Sequence, residues 1–258
     1  MRRTSRTTRG PLERMARASL SESAGCLRRI EHTCAGDVAA AAEAAITCIQ
    51  NGGTIYFCGN GGSAADAQHL ACELAGRYLM DRPALPAVAL TTNSSSLTAI
   101  GNDFGYAQVF SRQLEGLGRR GDVLVALTTS GASQSVLRAV EAGRRAGMVI
   151  IGLTGARGTR FAERCDFALV APSFTTPRIQ EGHIAMGHTL CELVERAMFT
   201  SAASTATRSR PVARAQRSRA PVSTRRTSAR PVTAIRAQGP RLVPVSRKAG
   251  RATTKRAR

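Results

Sequence analysis

The chain has 258 residues, a hydrophobic content of 43% and a formal net charge of +20 at pH 7. Its length and apolar content suffice for one sizeable core, and no uninterrupted apolar span reaches the ~20 residues that a membrane helix needs. Residues 200–258 contain 16 basic and no acidic residues, which leaves 21 basic against 17 acidic residues in 1–199. The charge excess therefore belongs mainly to the C-terminal tail.

Both ends of the chain are basic. Residues 1–10 lack the apolar stretch of a signal peptide, and we expect residues 1–23 to be a basic, flexible segment that leads into the helices of a folded domain at 24–199. Residues 200–258 have no aromatic residue, so they cannot bury enough apolar surface to fold, and we expect a disordered Arg-rich tail. Such a tail can contact nucleic acid without sequence preference, or it can be a solvated extension. Seven scattered cysteines without a CxxC pair fit reduced thiols and a cytoplasmic location.

The predicted elements follow in chain order. Two helices come first, at Leu20–Cys34 and Gly36–Gln50. Five short apolar strands then alternate with helices. The strands are predicted at Thr54–Cys58, Ala87–Leu90, Val123–Leu127, Val149–Leu153 and Phe167–Val170, and the helices at Ser63–Tyr78, around Leu97, at Phe110–Leu117, Ser133–Ala146, Thr159–Glu163 and Pro177–Phe199. This alternation predicts an α/β fold with a doubly wound, parallel five-stranded sheet and helices on both faces.

Two loops at the carboxyl ends of predicted strands carry groups that bind phosphate. A glycine-rich turn at a helix N-terminus presents backbone N–H groups to an anion; after the first strand these residues are Gly59, Asn60, Gly61, Gly62 and Ser63. After the third strand come the hydroxyls of Thr128, Thr129, Ser130 and Ser133. Ligands bind at this edge of open α/β sheets. Glycines also serve ordinary turns, and Ser133 also fits a helix N-cap.

Two pairs of nitrogen and oxygen donors have helical spacing. His69 and Glu73 are four residues apart, so they lie side by side on one helix face. Gln180 and His188 are eight apart, about 80° around a helix axis, and can also share a face, whereas His183 points elsewhere. Such donors suit a tetrahedral zinc ion. The alternative for His69 and Glu73 is an ordinary pair on a helix surface.

These motifs, in this order, resemble the sugar isomerase (SIS) fold and, within it, the bacterial phosphoheptose isomerases. The resemblance extends from about residue 24 to residue 199, so the folded domain is identified as an SIS domain. It is carried by Gly59-Asn60-Gly61-Gly62-Ser63, Ala67-Gln68-His69, Glu73-Leu74-Ala75-Gly76-Arg77-Tyr78, Arg82-Pro83, Gly101-Asn102-Asp103-Phe104-Gly105, Thr129-Ser130-Gly131 and Arg178-Ile179-Gln180-Glu181.

The resemblance implies isomerisation of sedoheptulose 7-phosphate to D-glycero-D-manno-heptose 7-phosphate through an enediol, the first step of nucleotide-activated heptose biosynthesis. Glu73 would be the base, His188 the acid/base partner, and the family's zinc ligands match His69, Glu73, Gln180 and His188. Homotetramers with active sites between subunits are implied too. The matching substrate-binding positions are Asn60, Gly61, Gly62, Ser63, Arg77, Asn102, Asp103, Thr128, Thr129, Ser130, Ser133 and Gln180.

The chain departs from the family pattern at two positions of the second loop. Many relatives have serine in place of Thr128, which keeps a hydroxyl, and asparagine in place of Ala132, which loses a side-chain donor. The expectation of phosphate binding is therefore weaker than the expectation of the fold.

Other functional classes share the SIS fold. Non-catalytic relatives that associate with the replication initiator DnaA would suit a basic tail, but they lack the catalytic carboxylate and the final histidine, which this chain has as Glu73 and His188. A sugar-phosphate-sensing regulator would need a DNA-binding module, and no helix-turn-helix candidate precedes residue 24. Amino-sugar transferases need an added ammonia-producing domain. The enzyme is therefore the preferred interpretation.

Overall fold

A computed structural model describes residues 10–206, with side chains described through residue 200. The strands are β1 Ile55–Cys58, β2 Ala87–Ala89, β3 Val123–Thr128, β4 Val149–Gly155 and β5 Phe167–Ala171. They form one parallel sheet in the order β2-β1-β3-β4-β5. The predicted five-stranded parallel sheet is confirmed. The predictions for residues 1–9 and 207–258 lie outside the described residues.

Helices cover both faces of this sheet, as predicted. They are α1 Pro11–Gln50, α2 Gly62–Ala75, α3 Ser94–Phe104, α4 Ser111–Leu117, α5 Gln134–Ala146, α6 Thr159–Ala162 and α7 Thr176–Ala206, with a short 3-10 turn at Tyr106–Gln108. Helices α1, α2 and α7 pack on one face of the sheet, and α4, α5 and α6 pack on the other. None of the helices within residues 10–206 combines the length and apolarity that a membrane span requires.

Successive side chains of a strand point to opposite faces of the sheet, so each strand contributes to two hydrophobic cores. In β3, Val123 and Val125 point into the core under α1, α2 and α7, whereas Leu124 and Ala126 point into the core under α4 and α5. Every residue of β3 is buried, as expected for a central parallel strand covered on both sides. The sheet is therefore a rigid support for the loops that follow its strands.

The prediction of two N-terminal helices was wrong, because α1 is one continuous helix of 40 residues. The predicted boundary lies between Cys34 and Gly36. A helical glycine costs only about 1 kcal/mol relative to alanine, and the buried stripe of Ile30, Cys34 and Val38 passes across this position at steps of four residues. Packing of that stripe on the core outweighs the local cost of the glycine.

Candidate active site

The strand order reverses between β1 and β3, and a polar pocket opens at the carboxyl ends of these two strands. In open α/β sheets this reversal leaves a crevice where ligands bind. The pocket has a volume of about 170 Å³. It is lined by Asn60, Ser63, Leu127, Thr128, Thr129, Ser130, Ser133 and Gln180. Both predicted phosphate loops thus meet in one place, and we call this site the hydroxyl pocket.

The N-termini of two helices frame the hydroxyl pocket without a side-chain cap. Gly61 precedes α2 with a φ of +56°, a conformation that favours glycine, and a Cβ on Gly62 would overlap the side-chain amide of Gln180. Ser133 occupies the N-cap position of α5, but its hydroxyl does not cap the helix and instead accepts a hydrogen bond from Asn60 Nδ2 at 2.7 Å. Uncapped helix N-termini carry partial positive charge, which suits an anion.

A hydrogen-bond network orients the amide of Asn60 at the rim of this pocket. Asn60 Nδ2 donates to the hydroxyls of Ser133 and Ser135 at 2.7 and 2.9 Å, and its Oδ1 accepts from the Tyr106 hydroxyl at 2.9 Å. Sequence reasoning missed Tyr106, although it follows the Gly101–Gly105 motif directly. In the second loop, the backbone N–H of Ala132 donates to Ser130 Oγ at 3.2 Å, so this position keeps a polar contact without a side-chain donor.

A second cluster joins α2 to α7. His69 Nε2 lies 2.9 Å from Glu73 Oε1 and 3.3 Å from His188 Nε2, and one donor atom from each residue falls within 4.8 Å of the others. The His69 and His188 rings meet edge to face, with centroids 4.9 Å apart. Three of the four ligands that the family resemblance implies thus lie together, with His69 and Glu73 on α2 and His188 on α7. We call these residues the His-Glu-His cluster.

The His-Glu-His cluster is a group of side chains that could hold a metal ion. His69 Nε2 faces both the Glu73 carboxylate and His188 Nε2, and a single ring nitrogen carries at most one proton to share between them. A cation between the three groups would bind all of them at once. The three donor atoms lie within 4.8 Å of one another, so one ion could contact all of them.

Comparisons with known proteins identify the family of this chain. The model of the SIS domain family matches residues 20–155. A phosphoheptose isomerase of Rhodospirillum rubrum is 54% identical over 187 residues, which cover 72% of this chain and 99% of the relative. The chain belongs to the phosphoheptose isomerase family of SIS-domain proteins.

Solved structures of this family have the same fold. Phosphoheptose isomerase GmhA from Neisseria gonorrhoeae is 44% identical, with a TM-score of 0.68, over 71% of this chain and 98% of the other. A phosphoheptose isomerase from Francisella tularensis is 34% identical, with a TM-score of 0.69, over 73% and 100%. The predicted resemblance to the phosphoheptose isomerase family is therefore confirmed.

The remaining predicted residues lie at different distances from the two clusters. Gln180 contacts the Gly-rich turn and lines the hydroxyl pocket, so its predicted role as a fourth metal ligand stays a prediction. Arg77 is exposed in the turn after α2. Asn102 and Asp103 are exposed at the end of α3, where the Asn102 amide donates to the Asp103 carboxylate at 2.8 Å. Their roles in sugar binding also stay predictions.

Burial lowers the pKa of two histidines on α7, His183 and His188. Burial, together with the nearby His69, lowers the pKa of His188 below its usual value, and Glu73 opposes this shift. His183 is completely buried, and burial lowers its pKa to about 4 against a smaller opposing effect of the Thr154 backbone. His183 is thus neutral at pH 7 and points away from the cluster, into the core. Neutral His188 retains the lone pair that a metal ligand or a proton acceptor needs.

Proposed function

We propose that this protein isomerises sedoheptulose 7-phosphate to D-glycero-D-manno-heptose 7-phosphate. The observation that carries the proposal is the meeting of Glu73 and His69 with His188 of α7. Glu73 and His69 lie on α2, the helix that begins at the hydroxyl pocket. Relatives named phosphoheptose isomerase match nearly their whole length to this chain. The hydroxyl pocket would hold the phosphate, and the His-Glu-His cluster would face the reacting carbons.

Aldose–ketose isomerisation moves a proton between neighbouring carbons and another between neighbouring oxygens. The Glu73 carboxylate takes the proton from one carbon, which leaves an enediol, and returns it to the next carbon. His188 transfers the other proton between the two oxygen atoms, since its Nε2 lies within the same cluster, 3.3 Å from His69 Nε2. The Glu73 side chain is about one-fifth exposed, so it can reach substrate while its orientation is restrained by His69.

The residues of the His-Glu-His cluster fit a zinc ion, with Gln180 as the proposed fourth ligand. Two imidazole nitrogens and a carboxylate oxygen are ligands that zinc prefers, and the three donor atoms lie within 4.8 Å of one another. When bound, zinc would polarise the sugar's carbonyl or hydroxyl oxygens as a Lewis acid. Without it, the three side chains compete for the same protons, which leaves their orientation less defined.

Metal removal tests this proposal. We expect chelation to lower turnover of sedoheptulose 7-phosphate by at least about 10²-fold, and added zinc to restore it. Metal content, measured by elemental analysis, should fall in His69→Asn and stay at the wild-type level in the matched control His32→Asn, because His32 is exposed on α1. Full activity in protein shown to contain no metal would contradict the zinc proposal. No turnover under any condition would contradict the proposed reaction.

We also propose a cytoplasmic homotetramer. Leu12, Met15, Leu20 and Leu27 are exposed along α1. An apolar groove of about 400 Å³ between α1 and α7 includes Leu27, Ile30 and Met186. Exposed apolar surface favours association, and family resemblance indicates other copies of the chain as the partners. Seven free cysteines fit a reducing compartment.

Deleting residues 200–258 is expected to leave kcat, KM and the number of subunits in the assembly unchanged. Every residue that we place in the site lies between Asn60 and His188, so we expect the tail to contribute no group to catalysis. The truncated protein should lose only the salt-dependent binding to nucleic acid that the 16 basic residues would provide. Steady-state kinetics and sedimentation of the two proteins make the comparison. A large fall in kcat would show that the tail is part of the enzyme.

A further inference from the structure

A buried ion pair lies behind the His-Glu-His cluster. Arg82 Nε lies 2.8 Å from Glu195 Oε1, and each side chain is only 1% exposed. Arg82 belongs to the segment that connects α2 to β2, whereas Glu195 belongs to α7. The pair therefore joins the two helices that carry the cluster, at a point that substrate does not reach.

The polar atoms of this pair bind the backbone at the end of α2 and in the following turn. Arg82 Nη2 donates to the carbonyl of Glu73 at 2.8 Å, and Nη1 donates to the carbonyl of Leu74 at 2.7 Å. The Glu195 carboxylate accepts three backbone N–H bonds of 2.8–3.0 Å, from Tyr78, Leu79 and Met80. Burial raises the pKa of Glu195, but the three backbone hydrogen bonds and the Arg82 guanidinium together lower it by more. The net shift of this pKa is downward, so the carboxylate stays ionised.

These contacts fix the backbone of residues that face His188. The carbonyl that Arg82 binds belongs to Glu73 itself, and the first N–H that Glu195 binds belongs to Tyr78, whose ring lies 5.8 Å from the His188 ring. His188 and Glu195 are seven residues apart, about 20° around the helix axis, so both lie on the same face of α7. The ion pair thus links the backbone of Glu73 and Tyr78 to α7, the helix that also carries His188.

Stability alone does not explain why charges are buried at this position. Replacing a buried ion pair by apolar side chains of similar volume is often neutral or stabilising, because desolvation of the charges offsets their attraction. What the pair supplies is fixed geometry, since the Arg82 guanidinium has a rigid arrangement of donors. We propose that Arg82 and Glu195 are positioning residues that hold Glu73 and Tyr78 against His188. The inference rests on the proposed function in that it assigns these three residues to the isomerase site.

The test uses variants that remove or weaken the Arg82–Glu195 ion pair without replacing any residue of the His-Glu-His cluster. In Arg82→Met/Glu195→Gln neither partner remains as an unpaired buried charge, and both volumes are nearly kept. We expect kcat to fall by about 10- to 100-fold, the usual effect of losing a partner that orients a ligand, while KM stays within about threefold because the hydroxyl pocket is unchanged. Zinc affinity, measured by competition with a chromophoric chelator, should fall by a similar factor. Arg82→Lys should retain part of both.

Asp122→Asn is the matched control. The Asp122 carboxylate is also buried and also accepts backbone N–H bonds, from Thr54 and Arg119, but it lies at the amino end of β3, opposite the site. We expect it to lower the melting temperature while kcat and zinc affinity stay at wild-type values. A folded Arg82/Glu195 variant with unchanged kcat and zinc affinity would overturn the proposal, as would equal losses in the control.

The zinc measurement separates this inference from the proposed function, because it needs no substrate. If the wild-type protein binds zinc but does not isomerise the sugar phosphate, the proposed reaction fails, and a drop in zinc affinity still supports the positioning role. If the double variant does not fold, Arg82→Lys and Glu195→Gln are compared singly in the same two assays. Unchanged zinc affinity in both folded single variants would overturn the inference.

Discussion

Glu73→Gln is expected to lower kcat by about 10²- to 10⁴-fold, the range that a positioned general base contributes. The amide keeps the size of the side chain but cannot accept a proton from carbon. It also removes a charged oxygen from the His-Glu-His cluster, where Glu73 Oε1 lies 2.9 Å from His69 Nε2. The measurement is isomerisation of sedoheptulose 7-phosphate under saturating substrate, with zinc supplied.

Glu141→Gln is the control for this substitution. Glu141 is likewise a helix carboxylate in ion pairs, here with Arg138 and Arg164, but it is exposed on α5 on the other face of the sheet. Its kcat should stay within about twofold of wild type. The melting temperature and the assembly mass of both variants should match wild type. Turnover at the wild-type rate by Glu73→Gln would exclude Glu73 as the base.

Much of the fold follows from local patterns. Five apolar runs, each ending at turn residues, predict the strands within two residues of their observed ends, because fully buried parallel strands are continuously hydrophobic. The boundary predicted inside α1 was wrong because local sequence does not show tertiary packing. Glycine at position 36 is a local signal, whereas the packing of Cys34 and Val38 on the sheet is a tertiary effect that sequence does not display.

In the candidate site too, local spacing predicts some contacts, whereas contacts between distant residues could not be predicted. His69 and Glu73 are predictable as a pair because four residues make one helical turn, and their meeting with His188 depended on family resemblance. Tyr106 was missed since its contact with Asn60 joins two loops 46 residues apart. The sequence marks Arg82 only as part of an Arg-Pro motif, and it gives no signal for Glu195. Their contact spans 113 residues, and nothing in the local sequence marks a glutamate in a helix as buried.

The loop that follows β1 offers a second test with a large effect. Asn60→Asp is expected to raise KM for the sugar phosphate by about 10²-fold with little change in kcat. The substitution is isosteric, and the hydroxyls of Ser133 and Ser135 can reverse and donate to the new carboxylate, so the network around position 60 persists. What changes is the charge. A phosphate group carries about −1.5 to −2 at pH 7, and like charges near a protein surface repel by a few kcal/mol at about 4–8 Å.

The control for Asn60→Asp is Asn51→Asp. Asn51 ends α1 and is exposed near the amino end of β1, so the same added charge lies at the opposite edge of the sheet. Screening by salt removes most of its effect on a phosphate at that distance, and KM should remain within about twofold of wild type. Inhibition by inorganic phosphate, measured with all three proteins, reports the anion site independently of turnover. If Asn60→Asp binds phosphate and substrate as wild type does, the phosphate does not occupy the hydroxyl pocket, because no bound dianion 4–8 Å away would tolerate the added carboxylate without a measurable loss of affinity.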